Sequence, residues 1–370
     1  MTHRERYLNT LRGKPVDRVP DYEFGAWEQT YPRWHAEGMP SRHTGCDQGI
    51  IDYFHTDEEA NGPAPNIAIG LLPWFEYKVL EEKGNTQIIL DGDGATCEMI
   101  RSEQGASIPR YLRYAIETRK DWEKIRDERL VLDDPRRVPA NLDELCKLTH
   151  TADYPVGLWA GSIYGWIRNW MGVENLSYAV YEDPEWVEEM MEHLTQLMLR
   201  GYKHLAGKAR IDSGHWWEDM CYKSGPLLSP KHFAQLMVPR YKRVTEFLRR
   251  ECVCEFHVLD CDGRINELAG MWLESGINVM FPIESAWTDV YDLEKRFGPR
   301  FSYRGAYDKR ALIAGPEAID REFDRLMPLF KTGRLIPHTD HRVPPDVSFE
   351  NYRHYRRRKC RILGKEYREG

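Results

Sequence analysis

From residue 154 to the C-terminus, short apolar runs alternate with longer stretches whose apolar positions recur at helical spacing. The runs predict strands at 154–160, 209–215, 254–259, 278–281, 301–305 and 334–337. The stretches between them predict helices. One begins at Tyr164, and a longer one follows Asp183-Pro184, with proline at a first-turn position. Ser229-Pro230 opens a helix over 232–250, with serine as N-cap and proline at N1. A helix over 265–274 stops at Gly276 and one over 290–297 stops at Gly298, because glycine readily takes the left-handed conformation that ends a helix. Helices over 316–330 and 349–363 complete the series. Strand–helix repetition with short connections means parallel strands joined by crossover helices.

The first 150 residues are less regular. A helix over 4–11 leads through Val16-Asp17-Arg18-Val19-Pro20 to a short strand, 21–24, which serves as the first barrel strand. Asp17-Arg18 reads as an ion-pair and turn element. Residues 75–100 hold short alternating runs broken by Gly84-Asn85 and Asp91-Gly92-Asp93-Gly94, which predicts antiparallel hairpins. They belong to an insertion over about 60–150 that covers one mouth of the barrel. The predicted fold is α/β, a (β/α)8 barrel forming a single domain over residues 1–370. Seven strands are placed; the eighth lies before residue 150. A doubly wound open sheet competes, but the chain has no GxGxxG turn to support it.

Composition narrows the class. The hydrophobic share of 41% and charged share of 30% are those of an ordinary globular protein. The net charge is -7 and Lys and Arg are interspersed with Asp and Glu, which excludes a nucleic-acid surface. The one basic cluster, Arg356-Arg357-Arg358-Lys359, is expected to be a solvated helix end, where cations suit the macrodipole. No apolar run is long enough for a membrane span, and the N-terminus has no apolar signal core. Eight cysteines without a CxxC motif suit a reduced, cytoplasmic chain with free thiols. Several of the twelve tryptophans fall near strand ends, which suits a large planar or apolar ligand or, equally, core packing.

In a barrel, segments just past the carboxyl ends of the strands converge on one pocket. Here they hold Trp159 and Ser162; His215, Trp216, Trp217, Glu218 and Asp219; Asp260 and Asp262; Glu284; Arg304 and Tyr307; and His338 and His341. A cluster of carboxylates and imidazoles at one mouth costs stability unless it binds a cation or moves protons. Asp260, Asp262 and His341 form a candidate divalent-metal set, with Glu284 or Glu218 as a fourth ligand, if the loop turns at Gly263. The alternative is a hydrogen-bonded polar network. Cys261 is expected to be packed away, and His257 to sit in the core or line the barrel. Glu218 and Asp219 follow two tryptophans. Burial there raises a carboxyl pKa, so either is a candidate general acid, or a turn cap. Arg304 is placed to clamp an anionic group, or to pair with Asp308. Trp159, Ser162, His215, Trp216, Trp217, His257, Tyr307 and His338 are the candidate substrate- or cofactor-binding residues.

Several stretches resemble the uroporphyrinogen decarboxylase superfamily of α/β barrels: 4–20 (RERYLNTLRGKPVDRVP), 218–241 (EDMCYKSGPLLSPKHFAQLMVPRY), 260–284 (DCDGRINELAGMWLESGINVMFPIE), 305–310 (GAYDKR) and 339–351 (TDHRVPPDVSFEN). The superfamily holds tetrapyrrole decarboxylases and corrinoid-dependent methyltransferases. The decarboxylases hold substrate carboxylates with a glycine- and arginine-rich motif after the first strand; residues 24–31 here contain no arginine. The methyltransferases bind zinc through a His-x-Cys pair and a later cysteine. On those positions this chain places Asp260, Asp262 and His341. The resemblance therefore implies methyl transfer between a corrinoid (cobalamin) co-substrate and a small molecule, assisted by a divalent metal, zinc first. Decarboxylation of a tetrapyrrole or smaller acid, and non-catalytic corrinoid or tetrapyrrole binding, are the alternatives. Expected partners are a small-molecule substrate, a corrinoid protein and a second copy in a homodimer; no nucleic acid or membrane is expected.

Overall fold

The computed structural model describes residues 1–58, 62–100 and 109–370. Four strands, β1 (Lys78–Lys83), β2 (Thr86–Leu90), β3 (Thr96–Ile100) and β4 (Arg110–Arg113), form an antiparallel sheet in that order, within the segment predicted as hairpins. Then come β5 (Gly157–Gly161), β6 (Ser213–Trp217), a two-stranded hairpin of β7 (Cys221–Tyr222) and β8 (Gly225–Pro226), and β9 (Phe256–Asp260), β10 (Val279–Ile283), β11 (Ser302–Tyr307) and β12 (Leu335–Thr339). Six of these make a parallel sheet in the order β12-β11-β10-β9-β6-β5, with helices between successive strands.

Every strand of this sheet lies further along the chain than the apolar run that predicted it. Apolar content marks where the chain is buried, whereas the ladder continues into polar residues such as Asp260 and Thr339. The helix predicted at 232–250 is two helices, Pro230–Leu236 and Val238–Cys252, parted at Met237. Pro239 cannot donate the hydrogen bond that continuity needs. The Ser229 cap forms as expected, accepting from His232 N–H.

Two extended segments without a ladder flank the sheet. Residues 66–71 run beside β5: Trp159 N–H donates to Asn66 Oδ1, and the buried Arg137 guanidinium donates to the Ala68 and Gly70 carbonyls. Arg137 thus does the work of a partner strand, so this part of the barrel wall carries no strand pattern. Residues 21–24, expected to be the first strand, are a correction of the same kind. Asp21 N–H donates to Asp57 and Lys359 Nζ donates to Tyr22 O, and just past the segment Ala26 forms an isolated parallel bridge with Val343, which lies beyond the end of β12.

Inside the sheet, Phe256, Val258, Val279, Ile336 and Tyr22 pack with Tyr7, Leu8 and Leu11 of the helix His3–Leu11, which plugs the N-terminal end. Ser302 Oγ donates to Leu11 O, and Arg4 pairs with Asp212, just ahead of β6. The Asp17 and Arg18 side chains pair with Arg6 and Asp57 respectively, while Arg18 N–H donates to Asp17 Oδ1 within the turn.

The closing helix Phe349–Leu363 has its predicted bounds, but the basic cluster on it is not a solvated end. Arg356 and Lys359 are 0% exposed. Four consecutive residues sweep most of a helix's circumference, so two of them must face inward with Tyr352, Tyr355 and Cys360. Inside, Arg356 grips Asp21 with two bonds (2.9 and 2.6 Å) and also reaches Glu23, while Lys359 donates to Glu23 Oε1 at 2.7 Å. All eight cysteines are free, and no helix of the described residues is long and apolar enough to cross a membrane.

Candidate active site at the barrel mouth

Three carboxylates converge past the carboxyl ends of β6 and β9. One oxygen each of Asp219, Asp260 and Asp262 lies within 4.8 Å of the others. Asp260 is the last residue of β9. Asp262 faces the same place because the chain turns at Gly263, whose φ is +83°. Gly263 N–H donates to Glu284 Oε2 at 2.7 Å, which spends that carboxylate on holding the turn. A β-carbon at Gly263 would sit 2.9 Å from the Cys221 backbone. Gly263→Ala is therefore expected to lower stability by more than about 1 kcal/mol and to weaken any ligand of Asp262; urea melts that superpose on wild type would contradict this.

Asp219 joins the group through an unusual backbone. Its φ is +45°, a left-handed conformation that aspartate tolerates better than most residues. Arg168, on the helix Tyr164–Met171 after β5, donates to the Asp219 carbonyl, stands 3.7 Å from its carboxylate and lies over the Trp217 ring at 5.2 Å. Arg168 was not legible as a site residue in the sequence, because it lies on the helical turn that follows the strand-end loop.

Two ionised carboxylates this close repel by about 3 kcal/mol at an effective dielectric of about 20. Burial, then Asp219 and Asp262, push the Asp260 carboxyl well above its usual range, against the pull of Arg304 and Arg342. Burial and Asp262 likewise push up Asp219 and Glu284. Burial holds Asp340 up at about 7; its oxygens accept from Ser285 and Lys309 N–H. No side-chain hydrogen bond reaches Asp260 from a described residue; Arg304 and Arg342 act on it through space.

His341 is not placed as a ligand. Its Nδ1 accepts the Arg342 N–H at 2.8 Å, which puts the proton of the neutral ring on Nε2. Nε2 points at Asp262 from 3.4 Å and has no lone pair to offer. The ring stacks on Trp27, with centroids 5.5 Å apart. Glu218, the other candidate general acid, is committed to a network of donors. It is fully buried and accepts five hydrogen bonds, from Ser162 Oγ, the Ile163, Tyr164 and Gly165 N–H groups and Tyr241 OH. Burial pushes this carboxyl up, and the hydrogen bonds from Tyr241, Ile163, Gly165 and Ser162 oppose the shift. Glu218 is an anionic anchor at a helix N-terminus.

Of the candidate pocket residues, Ser162 caps that helix from the core, and Tyr307 is buried with its hydroxyl on Ile319 O. Trp216 and His257 lie outside the sheet, under the helix layer: Trp216 meets Tyr241 edge-on and its Nε1–H donates to His257 Nδ1. The parallel register of β6 and β9 pairs Gly214 with His257 and Trp216 with Leu259, which puts Trp216 and His257 diagonally adjacent on one face. Trp159 and His215 do face inward and line a cavity of about 220 Å³; His215 Nε2 sits 3.0 Å from Ser213 Oγ. Arg304 lies on the Phe281 ring at 4.5 Å, and Asp308 pairs with Arg310 instead. His338 is buried, with Nδ1 on Thr339 O, and burial, then Arg304, hold its pKa well below the usual range. Cys261 is packed away, as expected, against Cys221.

Above the carboxylates opens a cleft of about 380 Å³ lined by Arg168, Asp219, Tyr222, Asp262, Glu284 and Trp287. Tyr222, Trp287 and, beside His341, Trp27 are exposed by more than two-fifths each. A second cavity of about 260 Å³ runs beside Phe24, Phe281, Arg304 and Arg342.

The fold and the mouth define an α/β barrel protein whose polar side chains gather at the carboxyl ends of the strands. The chain belongs to the uroporphyrinogen decarboxylase (URO-D) family, whose model matches residues 87–357. Among solved structures, a methyltransferase from Methanosarcina mazei shares the fold, with a TM-score of 0.56 over 98% of this chain and 99% of that one, at 14% identity. No curated protein sequence matches this chain.

Proposed function

We propose that this URO-D family member is an enzyme that transfers a methyl group between a corrinoid and a small molecule, at the mouth that holds Asp219, Asp260 and Asp262. The observation that carries the reading is the convergence of three carboxylates, Asp219, Asp260 and Asp262, two of which line an aromatic-rimmed cleft. The full-length likeness in fold to a methyltransferase supports it. The corrinoid supplies the cobalt centre that gives or takes the methyl group; Trp27, Tyr222 and Trp287 are the exposed flat side chains that would meet its face.

The chain's own part is to receive and orient the reacting group. The carboxylates draw a polar or positively charged group to the floor of the cleft and offer a place for the proton lost when a heteroatom is methylated. Arg168 holds Asp219 on station.

The test is the visible spectrum of methylcobalamin mixed with the enzyme and a panel of phenol, alcohol, amine and thiol acceptors. Enzyme-dependent loss of the methylcobalamin band is expected, and Asp260→Asn is expected to slow it by at least about a hundredfold. A static spectrum across the panel would move the assignment to decarboxylation, for which Arg304 and Arg342 along the second cavity are the anion-holding groups.

A further inference from the structure

Toward the amino ends of β9 and β10, away from the mouth, lies a cavity of about 340 Å³ between the helices Val238–Cys252 and Ala269–Glu274. His257 of β9 forms part of its wall and is 2% exposed. Trp216 Nε1–H donates to His257 Nδ1 at 3.3 Å, and an indole can only donate, so the neutral ring carries its proton on Nε2. Burial, then the charge of Arg249, lower the pKa of the ring to about 3, so it is neutral at physiological pH. This Nε2–H is enclosed and makes no hydrogen bond with any described residue. The Thr245 carbonyl, on another wall of the cavity, pulls the pKa the other way without reaching hydrogen-bond geometry. Buried donors are ordinarily bonded, so this one calls for an acceptor inside the cavity. The nearby side-chain oxygens are committed elsewhere: Asn278 Oδ1 accepts His257 N–H, and Glu255 is held by Arg12.

The charges around the cavity select the kind of acceptor. Arg249 and Arg300 both line it, and neither forms an ion pair with a described carboxylate. Arg300 reaches the Phe297 carbonyl at 3.4 Å and lies over the Phe297 ring. Arg250, one residue along the same helix, does take a partner, Glu251 at 2.7 Å. Glu274 stands at the rim and pairs with neither guanidinium. We infer that this cavity is a second binding site, for a small molecule bearing an oxyanion, phosphate or carboxylate, that accepts from His257 Nε2–H and is met in charge by Arg249 and Arg300. A guanidinium presents the donor fork that such groups fit. A metal cation does not suit the cavity, because His257 Nε2 has no lone pair to offer and two unpaired arginines repel it. Leu273 and Cys254, whose thiol is turned to Phe256 O, give the rest of the ligand an apolar wall.

Calorimetric titration of the full chain with phenyl phosphate and with benzoate tests this, and tells a phosphate site from a carboxylate one. Saturable binding of at least one of them is expected, with a Kd at or below about 1 mM. Arg249→Met and Arg300→Met are each expected to weaken it about tenfold. Both side chains are exposed, so these variants keep the fold. Arg250→Met removes the same charge one residue along and is expected to leave binding unchanged. In long-range proton–nitrogen NMR spectra, the Nε2 signal of His257, identified by its loss in His257→Gln, is expected to move as the ligand saturates. No saturable binding of either compound would overturn the inference. So would binding that persists in both Arg249→Met and Arg300→Met, which places the anion elsewhere, or binding that Arg250→Met weakens equally, which reduces it to surface charge. A His257 signal that stays fixed at saturation would overturn it as well. The outcome is independent of the reaction at the mouth, so a static methylcobalamin assay leaves it untouched.

Discussion

Replacing Arg356 by methionine is expected to lower the unfolding free energy by about 3–5 kcal/mol, the usual cost of breaking a buried ion pair from one side. Arg356 is wholly enclosed between Asp21 and Glu23, which are themselves buried to within 1%. Burial alone would push the Asp21 carboxyl up; Arg356, Lys359 and Lys365 hold it well below the usual range. Without the guanidinium, two lysines must balance two enclosed carboxylates, and the bidentate grip on Asp21 is gone. The consequence reaches the site. Asp21 and Glu23 belong to the segment that continues through Phe24 and Trp27 to the rim, and Tyr355 OH also reaches Glu23. The check is urea denaturation of Arg356→Met beside Arg357→Ala, whose outward-facing guanidinium should change stability by no more than about 0.5 kcal/mol. An Arg356→Met protein within 1 kcal/mol of wild type, the figure set by the typical scatter of point mutants, would show that the network contributes little.

Glu218→Gln is expected to cost about 2–4 kcal/mol and to reduce activity only through that loss. Five donors point at the two oxygens of Glu218, three of them backbone N–H groups that cannot reverse their role. A glutamine keeps one oxygen and turns an NH2 group toward donors, leaving at least one backbone N–H group buried and unpaired, while a hydroxyl partner must reverse its role. The helix Tyr164–Met171 would lose its anionic N-terminal anchor, and Arg168 on that helix would hold Asp219 less firmly. Thermal melts and the methylcobalamin assay together decide the point. A variant as stable as wild type but inactive would restore Glu218 to the reacting groups.

The parts of the barrel legible in the sequence are those in which a local rhythm is also the structural cause. Six parallel strands and their helices follow from apolar runs and capping residues, because a strand buried on both faces needs such a run and a helix start needs a side-chain acceptor. The segments at 21–24 and 66–71 were illegible as walls for the complementary reason. Their backbone partners are Asp57, Lys359 and Arg137, side chains far away in sequence, so no alternation is required of them.

The site divides along the same line. Asp260 and Asp262 were legible because strand ends and a glycine turn are local features, and Gly263 does turn the chain there. Asp219, read as an acid beside Glu218, proves to be the third member of the cluster, since its direction depends on a left-handed φ and on Arg168. His341 and Glu284 stand where the sequence put them, but the Arg342 and Gly263 N–H groups commit their lone pairs elsewhere.

The sequence by itself determined the class of fold, the end of the barrel where polar chemistry gathers and the acidic character of that end. Tertiary structure alone decided which carboxylates meet, which imidazole nitrogen carries the proton and which of four consecutive basic residues are buried. The physical reason is that secondary structure answers to patterns a few residues long. The state of an ionisable side chain answers to the donors, charges and solvent within a few ångströms, and in a barrel those come from strands and helices hundreds of residues apart.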